Sequence, residues 1–123
     1  MRELETLSGS WLGFWIQHRS RGHMEMALGF SKGRVAGSGM DRVGPFLIAG
    51  DFDSTGEVSF CKSYATHKVH YGGFWDGTMI HGDWLIEYGP DYHDAGEFEI
   101  WPEGDQAGSI LAALSEEFSM PKA

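Results

Sequence analysis

The 123-residue chain contains no asparagine and only one cysteine, Cys61. The missing asparagine excludes N-linked glycosylation, and a lone cysteine excludes an internal disulfide. The first residues, 1–11, lack the apolar core of a signal peptide, and no apolar run approaches the length of a membrane span. Together these absences predict a cytoplasmic protein that does not cross a membrane.

Positive charge is also scarce. The chain has 9 lysines and arginines against 18 aspartates and glutamates, which gives a formal net charge of −9. Such a balance argues against nucleic-acid binding and against docking on anionic membranes through a basic face. The partner that remains is a small molecule, with self-association into a homodimer or higher homo-oligomer left open.

Glycine and aromatic residues are abundant instead. The chain has 18 glycines, and aromatic residues make up 14% of it. Six of the glycines recur within residues 32–56, between short apolar runs that alternate in the manner of strands rather than follow a helical period. Strands with so many glycines are typical of strongly bent sheets, and they favour a small β-barrel.

The alternating segments predict an all-β fold. Eight strands follow one another at intervals of roughly 10–14 residues, joined by short turns without a crossover helix. We therefore expect a single domain over residues 1–123, in which an eight-stranded antiparallel up-and-down (meander) barrel covers about 9–102. A tail over 103–123 is expected to contain a short helix capped by Ser109. An open roll or a sandwich is the alternative architecture.

One strand carries a lysine in phase with apolar residues. Val58, Phe60, Lys62 and Tyr64 share a face of the fifth strand. If Lys62 points into the barrel, it is a candidate anchor for an anionic group of a ligand, with the hydroxyl of Tyr64 or Tyr71 beside it. Alternatively, Lys62 lies near the barrel mouth and extends to water along its aliphatic stem.

Asp41 lies in the glycine-rich turn GSGMDRVG. Its carboxylate is suited to accept backbone N–H bonds and fix this turn. The alternative is that it faces the cavity beside Arg42 or Lys62. The segment is not a dinucleotide-binding fingerprint, because its glycine spacing differs and no helix follows it.

Three segments resemble the calycins, the group that contains lipocalins, fatty-acid-binding proteins and avidins. Gly9-Ser10-Trp11 resembles the G-x-W that opens their first strand, and LIAGDFDSTG and YGGFW followed by TMIHGDWLI resemble strands of avidin and streptavidin. The resemblance implies a calycin or streptavidin-like barrel in which Tyr71 and Trp84 face a ligand. Avidins hold biotin partly through an asparagine where this chain has Gly13, so biotin is not the expected ligand.

Catalytic motifs are sparse. The chain has neither a Ser-His-Asp motif nor a nucleophile elbow. His81 and Asp83 share a face of the seventh strand, so they are weak candidates for an acid–base pair that works with Tyr71 in a cavity. The six histidines form no tight ligand constellation, so no metal and no other cofactor is predicted.

Three hypotheses follow. The preferred one is a non-enzymatic binding protein for a small, partly apolar molecule, with an anionic group as an option. The second is an isomerase, cyclase or hydrolase that uses cavity histidine and carboxylate. The third is a self-associating module with a filled barrel, in which the C-terminal helix or outer tryptophans form the dimer. The predicted ligand-binding residues are Trp15, Asp41, Phe46, Lys62, Tyr64, Tyr71 and Trp84.

Overall fold

The computed structural model describes residues 2–90 and 92–104, and it contains eight antiparallel strands in a closed barrel with sequential strand order. The strands are β1 (Gly9–Gln17), β2 (Ser20–Ser31), β3 (Arg34–Asp41), β4 (Gly44–Phe52), β5 (Glu57–Ser63), β6 (Lys68–Trp75), β7 (Ile80–Gly89) and β8 (Tyr92–Pro102). The predicted eight-stranded meander barrel is thereby confirmed. The helix expected from Ser109 onward lies outside the described residues.

Closure depends on the pairing of the first and last strands. β1 pairs with β8 antiparallel, from Trp11 opposite Pro102 to Trp15 opposite Phe98. This pairing removes both sheet edges and rules out the open roll and the sandwich. The polar residues 89–95 predict a loop followed by an eighth strand that begins at Gly96. In the structure β8 begins four residues earlier, at Tyr92, because the segment 92–95 pairs with β7.

In most strands the interior is built by alternation of buried and exposed side chains, whereas β1 and β8 also bury Phe14 and Trp101 on the other face. In β2, for example, Met24, Met26, Leu28 and Phe30 are buried, whereas the residues between them are exposed. Because neighbouring side chains of a strand point to opposite faces, each strand contributes one row to the core and one to the surface. A buried cluster of aromatic and branched aliphatic residues results.

Several glycines of residues 32–56 have a steric role, whereas a Cβ atom at Gly44 would meet no atom within 4 Å. A Cβ atom added at Gly37 would lie 2.0 Å from the carbonyl oxygen of Ala27, and one added at Gly50 would lie 2.1 Å from that of Ser59. These distances leave no room for a side chain, because the contacting atoms belong to the backbone of the neighbouring strand. The glycines thus permit the close approach of β3 to β2 and of β4 to β5.

Gly37→Ala is expected to destabilise the barrel by about 1–3 kcal/mol, since the backbone of β2 must move to accommodate the methyl group. Gly29→Ala is the matched control, because a Cβ there meets only the Ala36 carbonyl oxygen at 3.8 Å. That control is expected to change the free energy of unfolding by less than about 0.5 kcal/mol. Urea unfolding followed by tryptophan fluorescence measures both, and equal effects would contradict the steric explanation.

The N-terminal segment closes one end of the barrel. A 3-10 turn, Leu4–Thr6, places Leu4 in the core. The indole of Trp75 donates a hydrogen bond to the Arg2 carbonyl at 2.8 Å, and that of Trp11 donates to the Leu7 carbonyl at 2.8 Å. This end is also filled from within, since the Trp11 ring contacts those of Phe30 and Trp75 at centroid distances of 5.3 and 5.9 Å. The interior is therefore packed around Trp11 at this end, and the cavity of about 350 Å³ found here lies between residues 2–5 and the β4–β5 turn.

Within residues 2–90 and 92–104, no helix has the length and apolar character needed to cross a membrane.

Candidate functional site

A cavity of about 180 Å³ lies in the half of the barrel opposite the N-terminal closure. Its mouth lies at the hairpins that join β1 to β2, β3 to β4 and β5 to β6, as shown by Gln17, Val43 and His67 among its lining residues. The remaining lining residues are Trp15, Lys62, Tyr64, Val69, Tyr71, Trp84 and Ile86. Four of the ten lining residues are thus tryptophan or tyrosine, and the others are aliphatic or polar.

Strand parity explains why these side chains converge. Val69 and Tyr71 occupy alternate positions of β6, and Trp84 and Ile86 occupy alternate positions of β7, so both pairs point inward. Tyr71 and Trp84 are opposite each other in the register of the two strands. They form one continuous wall of the cavity.

Lys62 is buried and paired. Only 1% of the residue is exposed, and its Nζ lies 2.9 Å from Oδ2 of Asp41 and 3.6 Å from Sδ of Met24. The expectation that Lys62 faces the interior is confirmed, and the alternative that it extends to water is wrong. Its ammonium charge is already compensated by a protein carboxylate, which bears directly on the kind of ligand it can hold.

Asp41 fulfils both of its predicted roles. Its Oδ1 accepts hydrogen bonds from the backbone N–H groups of Val43 at 2.9 Å and Gly44 at 3.4 Å, which fixes the β3–β4 turn. Its Oδ2 faces inward and accepts from Lys62, from the Tyr64 hydroxyl and from the Trp15 indole, the last at 3.3 Å. With five donors on two oxygens, the carboxylate has little capacity left for a ligand.

Aromatic rings enclose the ammonium group. The Nζ of Lys62 lies 4.7 Å from the ring centroid of Phe46 and 5.1 Å from those of Tyr64 and Tyr71. Such distances are those of cation–π contacts, which help to offset the lost hydration of the ammonium group. Phe46 is buried and is not among the cavity-lining residues, but its ring also meets that of Tyr64 edge-on at 5.8 Å, so it supports two members of the cluster.

The ionisable groups of this cluster are displaced from their ordinary pKa values. Burial raises the pKa of Asp41, but the hydrogen bonds from Tyr64 and Lys62 and the Lys62 charge outweigh it, so the net pKa is lowered. Burial lowers the pKa of Lys62 against the opposing influence of Asp41. Burial, followed by the Asp41 hydrogen bond, raises the pKa of Tyr64. Tyr64 therefore stays protonated and Asp41 stays ionised at neutral pH.

The Tyr71 side chain is held in place by aromatic contacts. Its ring stacks on Phe60 at 4.9 Å and meets Phe98 edge-on at 4.8 Å, which fixes its orientation. Burial, and then the charge of Asp41, raises the pKa of Tyr71. In the described part of the chain, its hydroxyl makes no hydrogen bond, while Tyr71 lines the cavity. The hydroxyl is therefore available to a ligand.

The mouth of the cavity has its own polar contacts. His67 stacks on Tyr64 with a centroid distance of 4.8 Å. Gln17 donates to Asp94 at 2.8 Å, and the same carboxylate lies 3.3 Å from Nε2 of His18. These interactions order the hairpins around the opening.

The seven predicted ligand-binding residues are brought together around the cavity. Five of them line it, namely Trp15, Lys62, Tyr64, Tyr71 and Trp84, while Asp41 and Phe46 support Lys62 from behind. The sequence interpretation did not include Gln17, Val43, His67, Val69 and Ile86. Strand parity with Tyr71 and Trp84 was a sufficient signal for Val69 and Ile86, whereas the other three lie at hairpin ends where alternation stops.

The proposed acid–base pair needs correction. His81 and Asp83 are both on the outer, exposed face of β7, because Ile80 and Trp84 of that strand point inward. The Nε2 of His81 lies 3.4 Å from Oδ2 of Asp76, at the β6–β7 turn. The pair is therefore separated from Tyr71 by the barrel wall and does not reach the cavity.

Metal ligands are also not grouped. Across residues 2–90 and 92–104, no set of three or more histidine, cysteine, aspartate or glutamate side chains is arranged to hold a metal ion. Polar chemistry in the described cavity is left to the ammonium, hydroxyl, amide and imidazole groups already named.

Acid should weaken the fold through Asp41. The pKa of Asp41 in the folded protein is below its ordinary value of 3.8. The ionised carboxylate therefore contributes its full stabilisation of the fold above about pH 3.8, and this contribution is lost as the pH falls through the pKa of the folded protein. Unfolding measured from about pH 6 down to about pH 3 should show a steeper loss for the wild type than for Asp41→Asn/Lys62→Met. Parallel curves would contradict this assignment.

The side chains around the cavity are the basis on which a function can be assigned. They combine aromatic walls, the Lys62–Asp41 ion pair and the Tyr71 phenol, which has no hydrogen-bond partner within residues 2–90 and 92–104. In comparison with known proteins, the chain matches no family model, no curated protein and no solved structure.

Proposed function

We propose that this barrel binds a small, partly apolar molecule in the cavity bounded by Trp15, Tyr71 and Trp84. One observation carries the proposal: the barrel interior is packed around Trp11 at its N-terminal end, yet at the other end it encloses an aromatic-lined cavity that includes Tyr71, whose hydroxyl makes no hydrogen bond to the described residues. Interiors are normally packed to near-crystalline density, so a retained cavity with convergent polar groups is typical of a binding site.

The volume limits the size of the enclosed part of the ligand. The cavity measures about 180 Å³. For comparison, an apolar protein cavity of about 150 Å³ binds benzene. One ring with a small substituent therefore fits inside, and anything larger extends through the mouth past Val43, which is 52% exposed.

Binding is favoured over catalysis by the state of the ionisable groups. A general acid or base works best when its pKa lies near the operating pH. The pKa of Asp41 is lowered, and those of Tyr64 and Tyr71 are raised, so none of these three exchanges protons readily near neutrality. Burial lowers the pKa of Lys62, but Asp41 opposes this shift and holds the ammonium in an ion pair. Asp41 is moreover saturated with hydrogen bonds from the protein.

Native mass spectrometry of the protein taken directly from cells tests the proposal. We expect a species whose added mass is that of a small molecule, and we expect this species to disappear when the cavity is filled by Val69→Phe. Ligand-observed NMR with a set of one-ring compounds covers the case in which the ligand is lost during purification. If neither method detects binding to the wild type, the proposal is wrong.

Three broader predictions belong to the same proposal. They are a relationship to the calycins, closest to the avidin group, a cytoplasmic location, and assembly into a homodimer or higher homo-oligomer. Support for self-association comes from Met40 and Leu47, which are 52% and 65% exposed on the outer face of β3 and β4. The same native spectra report the number of subunits.

Biotin is not proposed as the ligand. A Cβ atom at Gly13 would lie 2.3 Å from the Glu99 carbonyl oxygen and 2.4 Å from Cγ2 of Ile100. The position at which avidins carry a ligand-binding asparagine therefore has no room for any side chain.

A further inference from the structure

We infer that the cavity selects a neutral hydrogen-bond acceptor, such as a carbonyl oxygen attached to a single ring, over a carboxylate of the same shape. This inference rests on the proposed binding function and specifies its ligand. It departs from the expectation that Lys62 anchors an anion. The reasons are the identity of the unpaired polar groups and the charge balance around Lys62.

Lys62 and Tyr71 can each donate a hydrogen bond to a ligand, and of these two only Tyr71 can also accept one. The ammonium of Lys62 has three protons, of which Asp41 and Met24 engage two. The Tyr71 hydroxyl makes no hydrogen bond to the described protein and its ring lies 5.1 Å from Nζ of Lys62. The Asp41 oxygens, in contrast, already accept five hydrogen bonds. A ligand group placed between Lys62 and Tyr71 must therefore accept hydrogen bonds.

Charge balance determines which acceptor is preferred. The side chains of Lys62 and Asp41 are 1% and 0% exposed and form one ion pair, so the cluster is neutral as a whole. A carboxylate beside it would leave one uncompensated negative charge in a region with little water, which costs free energy. A carbonyl oxygen accepts the same hydrogen bonds and adds no net charge.

The field of Asp41 reaches the wall at which the ligand would bind. Burial is the main cause of the raised pKa of Tyr71, and the negative charge of Asp41 is the second. The carboxylate thus opposes negative charge at the Tyr71 hydroxyl, despite the presence of Lys62 nearby. An anionic ligand group at the same place would experience the same repulsion.

Charges at the mouth do not reverse this balance. Arg42 is exposed, and its guanidinium lies 5.0 Å from the ring of Trp15, where water screens it. Asp94 adds a negative charge on the opposite side, since it accepts a hydrogen bond from the cavity-lining Gln17 at 2.8 Å. The cavity therefore has no unpaired buried cation among the described residues.

The tryptophans favour a flat apolar body. The indole N–H of Trp84 donates to the Ile16 carbonyl at 3.0 Å, and that of Trp15 points to Asp41. Their donors are thus engaged by the protein, and both residues offer ring surface to the cavity. A planar ring attached to the acceptor group matches such walls through offset or edge-on stacking.

Three probes of nearly equal shape separate the effect of a hydrogen-bond acceptor from the effect of a negative charge. They are acetophenone, benzoate and isopropylbenzene. Their dissociation constants can be measured on the full chain by ligand-observed NMR and tryptophan fluorescence. Acetophenone is expected to bind about tenfold more tightly than benzoate, because the latter adds a buried charge. Acetophenone is also expected to bind about two- to tenfold more tightly than isopropylbenzene, because a typical hydrogen bond contributes about that much to affinity.

Two substitutions test the assigned groups. Tyr71→Phe should reduce acetophenone affinity by about two- to tenfold and leave isopropylbenzene unchanged. Asp41→Asn retains the side-chain size and removes the charge that compensates Lys62, so it should shift the preference toward benzoate by about tenfold or more. If Asp41→Asn does not fold, the affinities of the three probes for the wild type and for Tyr71→Phe still test the inference.

The outcomes are distinct for the two proposals. Benzoate binding equal to or tighter than acetophenone in the wild type overturns the inference while the binding function stands. The same holds if Tyr71→Phe weakens isopropylbenzene as much as acetophenone. Failure of all three probes, together with no bound molecule in native spectra, overturns the binding function and the inference with it.

Discussion

Asp41→Ala is expected to lower the free energy of unfolding by about 3–5 kcal/mol, the usual cost of breaking a buried ion pair on one side. The substitution leaves the Lys62 ammonium, which is 1% exposed, with Met24 and aromatic rings as its remaining contacts. It also releases the Tyr64 hydroxyl and the N–H groups of the β3–β4 turn. Urea unfolding followed by tryptophan fluorescence measures the loss.

Two further variants identify the cause of the stability loss expected for Asp41→Ala. Asp53→Ala is the matched control, because Asp53 accepts backbone N–H bonds in the β4–β5 turn but is exposed and pairs with no lysine among the described residues. It is expected to cost about 1 kcal/mol. Asp41→Ala/Lys62→Met should recover a large part of the loss, since an apolar side chain replaces the stranded charge. A double variant as unstable as Asp41→Ala would show that the turn, rather than the charge, dominates.

Most of the fold was predictable because alternation is a local signal. Apolar and polar residues alternate within most strands, and turn residues separate the strands. The number of strands and their positions along the chain can therefore be predicted without knowledge of distant contacts. The inward direction of Lys62 followed from the same parity, since it lies in phase with Val58 and Phe60. The start of β8 was misplaced because the polar residues 92–95 resemble a loop, and only pairing with β7 makes them a strand.

The partner of Lys62 was not decided by any local signal. Asp41 and Lys62 are 21 residues apart and belong to β3 and β5, which are separated in the sheet by β4. They meet only because closure of the barrel brings the inner faces of these strands together. Sequence alternation shows which face a residue occupies, but the distance across the interior depends on the barrel's diameter and stagger.

For His81 and Asp83, in contrast to the partner of Lys62, the local sequence pattern is sufficient to show which face they occupy. The strand pattern itself placed Ile80, Trp84 and Ile86 on the alternate face, and the structure buries those three residues. An acid–base pair inside the cavity would have required the bulky apolar side chains to face water. The burial of apolar surface therefore decides the orientation of β7, and it does so against the catalytic hypothesis.

Val69→Phe is expected to abolish binding without unfolding the barrel. Val69 lines the cavity, so a phenyl ring at this position extends into empty space rather than into a packed neighbour. The affinity for acetophenone should fall by about a hundredfold or more, which corresponds to about 2.7 kcal/mol. The free energy of unfolding should remain within about 1 kcal/mol of the wild type, since filling a cavity is commonly neutral or stabilising. Fluorescence titration and urea unfolding provide the two measurements.

Val58→Phe is the matched control in the filled part of the barrel. Val58 is 1% exposed and, like Val69, belongs to the buried cluster, but it does not line the cavity. The same increase in volume there should destabilise by about 1–3 kcal/mol, because close-packed neighbours must move. If both substitutions destabilise equally, the space beside Val69 is not open in solution, and the barrel is a packed module rather than a binding protein. A stable Val69→Phe variant that still binds acetophenone would instead place the site elsewhere on the molecule.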